Sequence, residues 1–397
     1  MTATAITEDR RPRLCIATSR YPRAGETFVM RHVDELAGGN TVVVCGRRTG
    51  KAEQDKAVFS RVEAFLNPAD MVTAPWHLWR NHRFYSAPFV PFGSGRRQLA
   101  AFLGREGVDA ILAEFGSQAV LHWPLARELG IPIFSYFRGR DATKYLRSAQ
   151  RLEGYRRMMP NLAGVFAVSR FLLDNLAANG LAHPNSHVVP SGVDTRLFRP
   201  GEKRRGQMLF VGRFVEKKAP LLTLDCFLEV ADRHPQARLD FIGHGPQLAA
   251  CKARATRSRH RERVVFHGWQ SHAQVREHLA RADLFVLHAL TAKDGETEGL
   301  PSAIQEAMAC GAAILSTRHA GIPELVQDRV TGRLVDEGNA AGFAAAMESM
   351  LSDPDATRRM GAQARATAEE RVDYRALYRQ VEAVIGAALE PEPEGCH

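Results

Sequence analysis

Residues 282–311 constrain this chain more than any other stretch. The apolar run Ala282–His288 is short enough to be a buried strand. A polar loop with Gly295 and Gly299 follows, Pro301 and Ser302 stand where a helix starts, and Gly311 stops it. Ile304, Ala307 and Met308 give that helix its apolar face. A strand that passes through a glycine loop into a helix N-terminus aims backbone N–H groups and a positive dipole end at one spot, which suits phosphate. Two carboxylates frame the spot. Glu298 lies in the loop and Glu306 on the helix, eight positions later. Continuous helix would separate them by roughly 12 Å, and a folded loop would bring them closer. Ionised carboxylates accept several hydrogen bonds and so suit sugar hydroxyls. The spacing equally fits an ordinary amphipathic helix with two surface glutamates.

The rest of the chain repeats a strand–loop–helix rhythm. Residues 13–18 and 41–45 read as buried strands around a helix at 27–37, with Phe28, Val29, Val33 and Leu36 inward; this is the βαβ pattern of a parallel sheet. Strands follow at 110–115, 131–137 and 164–169. After a charged stretch at Gly201–Gly206, suited to a hinge, the rhythm restarts with strands at 207–211, 238–243, 264–268 and 313–317, and Gly321–Glu324 closes the second sheet. The loop after residue 211 carries Arg213 and Lys218 past Gly212, so two cations converge on one place at a strand end. Asp353-Pro-Asp355 lies at a helix start and reads as a cap.

Several motifs carry a resemblance. Residues 298–306, Glu-Gly-Leu-Pro-Ser-Ala-Ile-Gln-Glu, resemble the E-x7-E signature of family 4 retaining glycosyltransferases (glycosyltransferases group 1). The longer run from Asp294 to Pro301 is similar to the exopolysaccharide, colanic-acid-type branch. Residues 21–28 resemble the family's Ser-Glu-Thr-Phe segment, with Gly25 where serine is usual. Residues 212–218 resemble its Gly-Arg-x3-Lys loop, with Ala219 where a glycine is usual. Val188–Asp194 resembles its Asn-Gly-Val-Asp linker. Arg138-Gly-Arg-Asp141 departs from the His-Gly-x-Asp common in the family: Arg138 stands for the histidine and cannot act as a base at neutral pH, though it can bind phosphate or carboxylate. Arg138 and Arg140 also fit plain solvated loop charges.

The resemblance implies an α/β protein of the GT-B fold, two Rossmann-like domains facing across a cleft. It places an acceptor-side domain at 13–200, a nucleotide-sugar domain at 201–370, a helix returning to the first domain at 371–389, and loose tails at 1–12 and 390–397. It implies a hexosyltransferase, retaining and metal-independent, with Arg213, Lys218 and Glu298 in the chemistry. Glu306 would take ribose hydroxyls and Glu298 the donor sugar. Backbone N–H groups at Gly299 and Leu300 would cap the phosphates. Gly212, Gly25, Gly243, His244 and Asp294 would complete the donor site, and Arg138 and Asp141 would serve the acceptor or donor-sugar side. No cofactor is implied beyond the nucleotide-sugar substrate. A nucleotide-sugar epimerase, or a non-catalytic nucleotide-sugar-binding protein, would share these features.

Composition bounds the partners. The chain has 397 residues, 45% hydrophobic and 24% charged, with a net charge of +9, an ordinary globular profile long enough for two cores. That charge fits arginine used freely for solubility, and equally an anionic substrate or membrane surface; no nucleic-acid motif is visible. No run reaches the ~18 apolar residues of a membrane span, and residues 1–12 lack an apolar signal core, so the expectation is a cytoplasmic protein, peripheral on the inner membrane face. The best membrane candidate is the stretch 75–97, where Trp76, Trp79, Phe84, Tyr85, Phe89 and Phe92 mix with Arg80, Arg83, Arg96 and Arg97. It also fits a helix and loop that pack those aromatics inward. The expected acceptor is a glycan on a lipid carrier. The six cysteines are scattered without a Cys-x-x-Cys pair, so their spacing indicates neither a zinc site nor a disulfide framework. Cys15, Cys45, Cys226 and Cys310 read as buried small hydrophobes.

Overall fold

The computed structural model describes residues 11–23, 25–50, 56–64 and 67–390. The loose tails expected at 1–12 and 390–397 lie outside these residues except for Arg11, Pro12 and Glu390. The chain forms two compact units. One comprises the described residues up to Ala167, then Leu173–Val189, and those from Tyr378 onward; the other comprises Val168–Leu172 and Pro190–Leu377.

Unit 1 is built on seven strands: β1 (Leu14–Tyr21), β2 (Thr41–Arg48), β3 (Val58–Ser60), β4 (Ala110–Glu114), β5 (Ile133–Phe137), β6 (Gly164–Ala167) and β7 (Ser186–Val188). All pair in parallel, in the order β3-β2-β1-β4-β5-β6-β7. Its helices are α1 (Thr27–Glu35), α2 (Pro68–Tyr85), α3 (Gly93–Arg105), α4 (Gly116–Leu129), α5 (Ala149–Met158) and most of α6 (Arg170–Ala178). Central strands such as Ala110–Glu114 and Ile133–Phe137 are buried at every position. A parallel sheet covered on both faces demands this, and it is why those strands read as unbroken apolar runs.

Unit 2 repeats the plan with β8 (Arg204–Val211), β9 (Arg238–Ile242), β10 (Val264–Gly268), β11 (Ala282–Val286), β12 (Ala313–Thr317) and β13 (Gly332–Val335), all parallel, in the order β10-β9-β8-β11-β12-β13. Its helices are α7 (Pro220–Val230), α8 (Leu248–Thr256), α9 (His272–Arg281), α10 (Ser302–Ala309), α11 (Ile322–Leu325), α12 (Ala340–Ser352) and α13 (Pro354–Arg371). Asp353 caps α13 as expected, accepting from the Ala356 N–H at 2.9 Å. A last helix, α14 (Tyr374–Ala387), carries Tyr378 against His32 of unit 1, with ring centroids 5.0 Å apart, and Glu382, which accepts from the Ala37 N–H at 2.8 Å. Both sheets have the Rossmann-like strand order, and the chain has the GT-B architecture. Strand order reverses between β1 and β4 in unit 1 and between β8 and β11 in unit 2; ligands of such sheets bind outside the carboxyl ends of the strands at that reversal.

Two sequence expectations change. Gly321–Glu324 does not close the second sheet: Pro323 lacks the N–H a ladder needs, the segment forms the short helix α11, and β13 supplies the last strand. The aromatic stretch divides. Tyr85 packs edge-on against Trp123 and Phe92 stacks on His77, both inward, whereas Trp76, Trp79, Phe84 and Phe89 are 58–73% exposed. Arg80 lies over the rings of Trp76 and Phe84 at 5.9 and 5.8 Å, and Arg96 pairs with Glu128. Cys15, Cys45, Cys226 and Cys310 are buried and free, as expected.

α7 starts at an unusual residue. Ala219, its N-cap, has φ 36° and ψ 52°, the left-handed region, and Pro220 follows at the first helical position. An alanine held there costs roughly 1 kcal/mol because its Cβ crowds the backbone. Ala219→Gly should therefore stabilise the protein by about 0.5 kcal/mol, once the added freedom of the unfolded chain is set against the relieved strain. Thermal unfolding should show a midpoint roughly 1–2 °C higher; a lower midpoint would show that this turn is not strained.

Candidate functional site

Two loops leave adjacent strand ends at the reversal in unit 2. The first leaves β8 through Gly212 and Arg213 into a single 3-10 turn, Glu216–Lys218. Gly212 gives the Lys218 stem its path, since a Cβ there would stand 2.7 Å from Lys218 Cδ. The second leaves β11 and runs to α10. They meet in a buried ionic cluster. Lys218 Nζ lies 3.2 Å and Lys217 Nζ 3.3 Å from the same oxygen, Glu298 Oε1. Lys217 also reaches Glu296 Oε1 at 3.0 Å and donates to the Thr297 carbonyl at 3.1 Å. Arg213, its side chain 58% exposed, approaches Glu296 at 3.5 Å from the rim.

The electrostatics follow from that geometry. Burial pushes the Glu298 carboxyl up, but the Lys218 and Lys217 ammoniums beside it outweigh burial and hold it at about 2. Burial in turn lowers Lys218, with Glu298 opposing. Glu298 is therefore a fixed anion at neutral pH, able to accept hydrogen bonds and not to donate a proton.

The loop is fastened at several points. Asp294 accepts from the Glu296 N–H at 3.0 Å, a local turn that Gly295 completes at φ 80°. The Glu298 N–H donates to His319 Nε2 at 3.2 Å, and His319 Nδ1 lies 2.8 Å from Glu337. The Gly299 carbonyl accepts from the Gly321 N–H at 2.9 Å. Gly299 and Leu300 thus stand just ahead of α10, both buried. Glu306, also buried, is 3.1 Å from Nε2 of His272, the first residue of α9. Gly243 and Gly245 take positive φ because the 212–214 backbone presses on them; a Cβ on Gly245 would lie 2.6 Å from the Phe214 carbonyl oxygen. His244 between them is exposed, and its carbonyl accepts from the Phe214 N–H at 3.0 Å.

Unit 1 has its own buried cluster at its reversal. Glu114, the last residue of β4, contacts His32 of α1 through Oε1, while Oε2 takes Arg138 Nη2 at 3.0 Å. Burial would raise Glu114, yet His32 and Arg138 hold it at about 2; burial lowers His32, with Glu114 opposing. The Arg138 guanidinium lies 3.5 Å from the Phe28 ring centre and 4.4 Å from that of Tyr136. Asp141 is buried and accepts from two backbone N–H groups, Gly116 at 2.7 Å and Arg138 at 2.8 Å, tying the start of α4 to the end of β5. Burial raises its carboxyl to about 7 in spite of those bonds. Gly25 lies open to solvent, where a Cβ would meet nothing within 4 Å.

The structure thus brings Arg213, Lys218 and Glu298 together with Gly212, and places Arg138 and Asp141 on one turn. Sequence reading missed Lys217, Glu296, His272 and His319 in unit 2, and His32 and Glu114 in unit 1. His32 had a signal: it falls on the helical face that Val29, Val33 and Leu36 bury.

The family model described as Glycosyltransferase Family 4 matches residues 25–197, and the one described as Glycosyl transferases group 1 matches residues 195–367. The chain is 27% identical to the amylovoran biosynthesis glycosyltransferase AmsK of Erwinia amylovora, over 70% of each chain. It is 28% identical to WcaL of Salmonella typhimurium, named for colanic acid biosynthesis, over 92% of this chain and 97% of that protein. Among solved structures, Anabaena Alr3699/HepE in complex with UDP-glucose superimposes with a TM-score of 0.72 at 16% identity, covering 94% of this chain and 99% of that one.

The Glu298 cluster makes stability depend on acid pH. A carboxyl held low in the folded state contributes stability above its unfolded value, near 4.5, that is lost as pH falls toward about 2. Glu298→Gln should be the less stable protein at neutral pH, and the gap between the two should close across that window. Urea midpoints measured against pH decide this; a gap that stays constant down to pH ~2 would show that the lysines do not hold Glu298 ionised.

Proposed function

The chain belongs to the group 1 glycosyltransferases, and on that premise we propose that it moves a hexose from a nucleotide diphosphate sugar, UDP- or GDP-linked, to a growing lipid-linked glycan in exopolysaccharide biosynthesis, with retention at the anomeric carbon. One observation carries the reading. Two buried lysines and the fixed anion Glu298 stand at the strand-order reversal of unit 2, where a sheet of this order takes its ligand.

In this reading Glu306 takes the ribose hydroxyls and Glu298 offers its carboxylate to the donor hexose. Arg213 and Lys218 face the diphosphate, with backbone N–H groups of Gly299 and Leu300 at the helix start. An acceptor hydroxyl attacks the anomeric carbon on the face the diphosphate is leaving. The sugar–phosphate C–O bond breaks, and the departing diphosphate takes up the hydroxyl proton. The cationic side chains stabilise the charge on that leaving group, and no metal takes part. Asp294 and the Gly243–Gly245 turn shape the donor site from behind. Unit 1 receives the acceptor, with Arg138 locked flat between rings as a hydrogen-bond donor in place of a histidine, and Asp141 holding its turn.

Arg213→Ala and Lys218→Ala should each lower turnover about a hundredfold, some 3 kcal/mol, with the folded circular-dichroism spectrum kept. Release of UDP or GDP from labelled sugar nucleotides, with lipid-linked glycan supplied, is the measurement. Near-normal rates in both variants would remove these cations from the site.

No helix among the described residues is long and apolar enough to cross a membrane. A lipid-linked acceptor then requires contact at the surface, and α2 supports an anionic bilayer as the partner: Trp76, Trp79 and Phe84 are exposed beside Arg80 and Arg83. Each arginine near such a surface adds about 1 kcal/mol. Liposome sedimentation should require anionic lipid, weaken with salt, and drop when Arg80, Arg83 and Arg97 become Glu. Equal binding to neutral vesicles would count against this surface.

A further inference from the structure

We propose that unit 2 carries a binding site for one divalent first-row transition ion, made by Asp240, His267 and His278, separate from the chemistry of transfer. Among the described residues, these three form a group whose ligand atoms all lie within 4.8 Å of one another. Asp240 Oδ2 is 3.1 Å from His267 Nε2 and 3.8 Å from His278 Nδ1. An ion holding imidazole nitrogen and carboxylate oxygen at about 2.0–2.2 Å in tetrahedral geometry needs its ligands roughly 3.3–3.5 Å apart. Shifts of a few tenths of an ångström in the Asp240 contacts would meet that.

Two further observations point to a ligand rather than to a plain ion pair. His267 Nε2 is buried and has no hydrogen-bond partner, although it lies 3.1 Å from the carboxylate. The two atoms converge without the alignment of an N–H···O bond, as two lone-pair donors aimed at a common ion would. His267 also sits at the irregularity where β10 slips register against β9, between Phe266 and Gly268. Such bulges re-aim side chains and are enriched beside sites. Val265 pairs with Asp240, and His267 is the extra residue at the slip, its ring brought to Asp240 by the irregularity and not by strand alternation. The side chains are 16–29% exposed, enough for an ion to enter and for water to complete its shell. Two imidazoles and one carboxylate select zinc, cobalt or nickel over magnesium or calcium.

The ion would join β9, β10 and α9. The first residue of α9 is His272, which touches Glu306. Metal binding would thereby fix the helix that braces one carboxylate of the donor site without touching substrate.

The test uses the full chain, stripped with EDTA and desalted, and reads binding rather than turnover, so it stands apart from the transferase reading. Zn2+ should bind one ion per chain and raise the thermal midpoint, and Co2+ should give the intense visible bands of a four-coordinate site. His278→Ala, a change that helix α9 tolerates, and Asp240→Asn should each lower Zn2+ affinity at least about tenfold. Turnover well below the midpoint should survive EDTA. Absence of stoichiometric Zn2+ binding, or equal affinity in wild type and both variants, which would mean an adventitious ion only, overturns the site. Loss of turnover on chelation would overturn its separation from the chemistry.

Discussion

Two lysines buried against one carboxylate oxygen set the terms for unit 2. Taking ions out of water is costly, and the arrangement holds because each charge has an opposite within about 3 Å. Lys217 and Lys218 come from the loop after β8, and Glu296 and Glu298 from the loop after β11. Neither loop could bury its charges without the other. The Gly212 backbone, the left-handed Ala219 and the His319–Glu298 amide contact are the local devices that bring the loops to that meeting.

Unit 1 solves the same problem with different residues. Glu114 ends the strand beside the reversal and is shared between His32 and Arg138, much as Glu298 is shared between two lysines. A buried carboxylate beside the strand-order reversal recurs in both halves, Glu114 at the end of β4 and Glu298 in the loop after β11. In unit 2 the surrounding cations reach the rim through Arg213. In unit 1 the cation, Arg138, is enclosed by the rings of Phe28 and Tyr136, and the imidazole of His32 by those of Tyr136 and Tyr378. The first arrangement favours an anionic ligand at the surface, and the second gives Arg138 a fixed orientation.

Central strands and the residues on them were legible in the sequence because two-sided burial leaves no room for polar residues. The edges were not: β3, β7 and β13 are short and half-buried, with sequences such as Ser-His-Val and Gly-Arg-Leu-Val that carry no apolar run. Arg213, Lys218, Glu298 and Glu306 were legible through their motif. Lys217 was not, because in a one-dimensional lysine pair nothing says that a 3-10 turn points both stems inward. His272 comes from another helix more than thirty positions from Glu306, a distance that spacing cannot bridge. On α2 the apolar residues could be read, but not which way they face: inward packing claims Tyr85 and Phe92 and leaves Trp76 and Trp79 in solvent.

The pairing of Ala37 with Glu382 joins positions 345 residues apart, and Tyr378 covers His32 across a similar interval. On the ribosome, the sheet of unit 1 is complete once β7 has emerged, but the surface around His32 still lacks its cover. All of unit 2 must be made before the covering helix appears. The first half of the chain to be synthesised is therefore finished only after the second, and its charged interior stays reachable by water, and by chaperones, until α14 has been made.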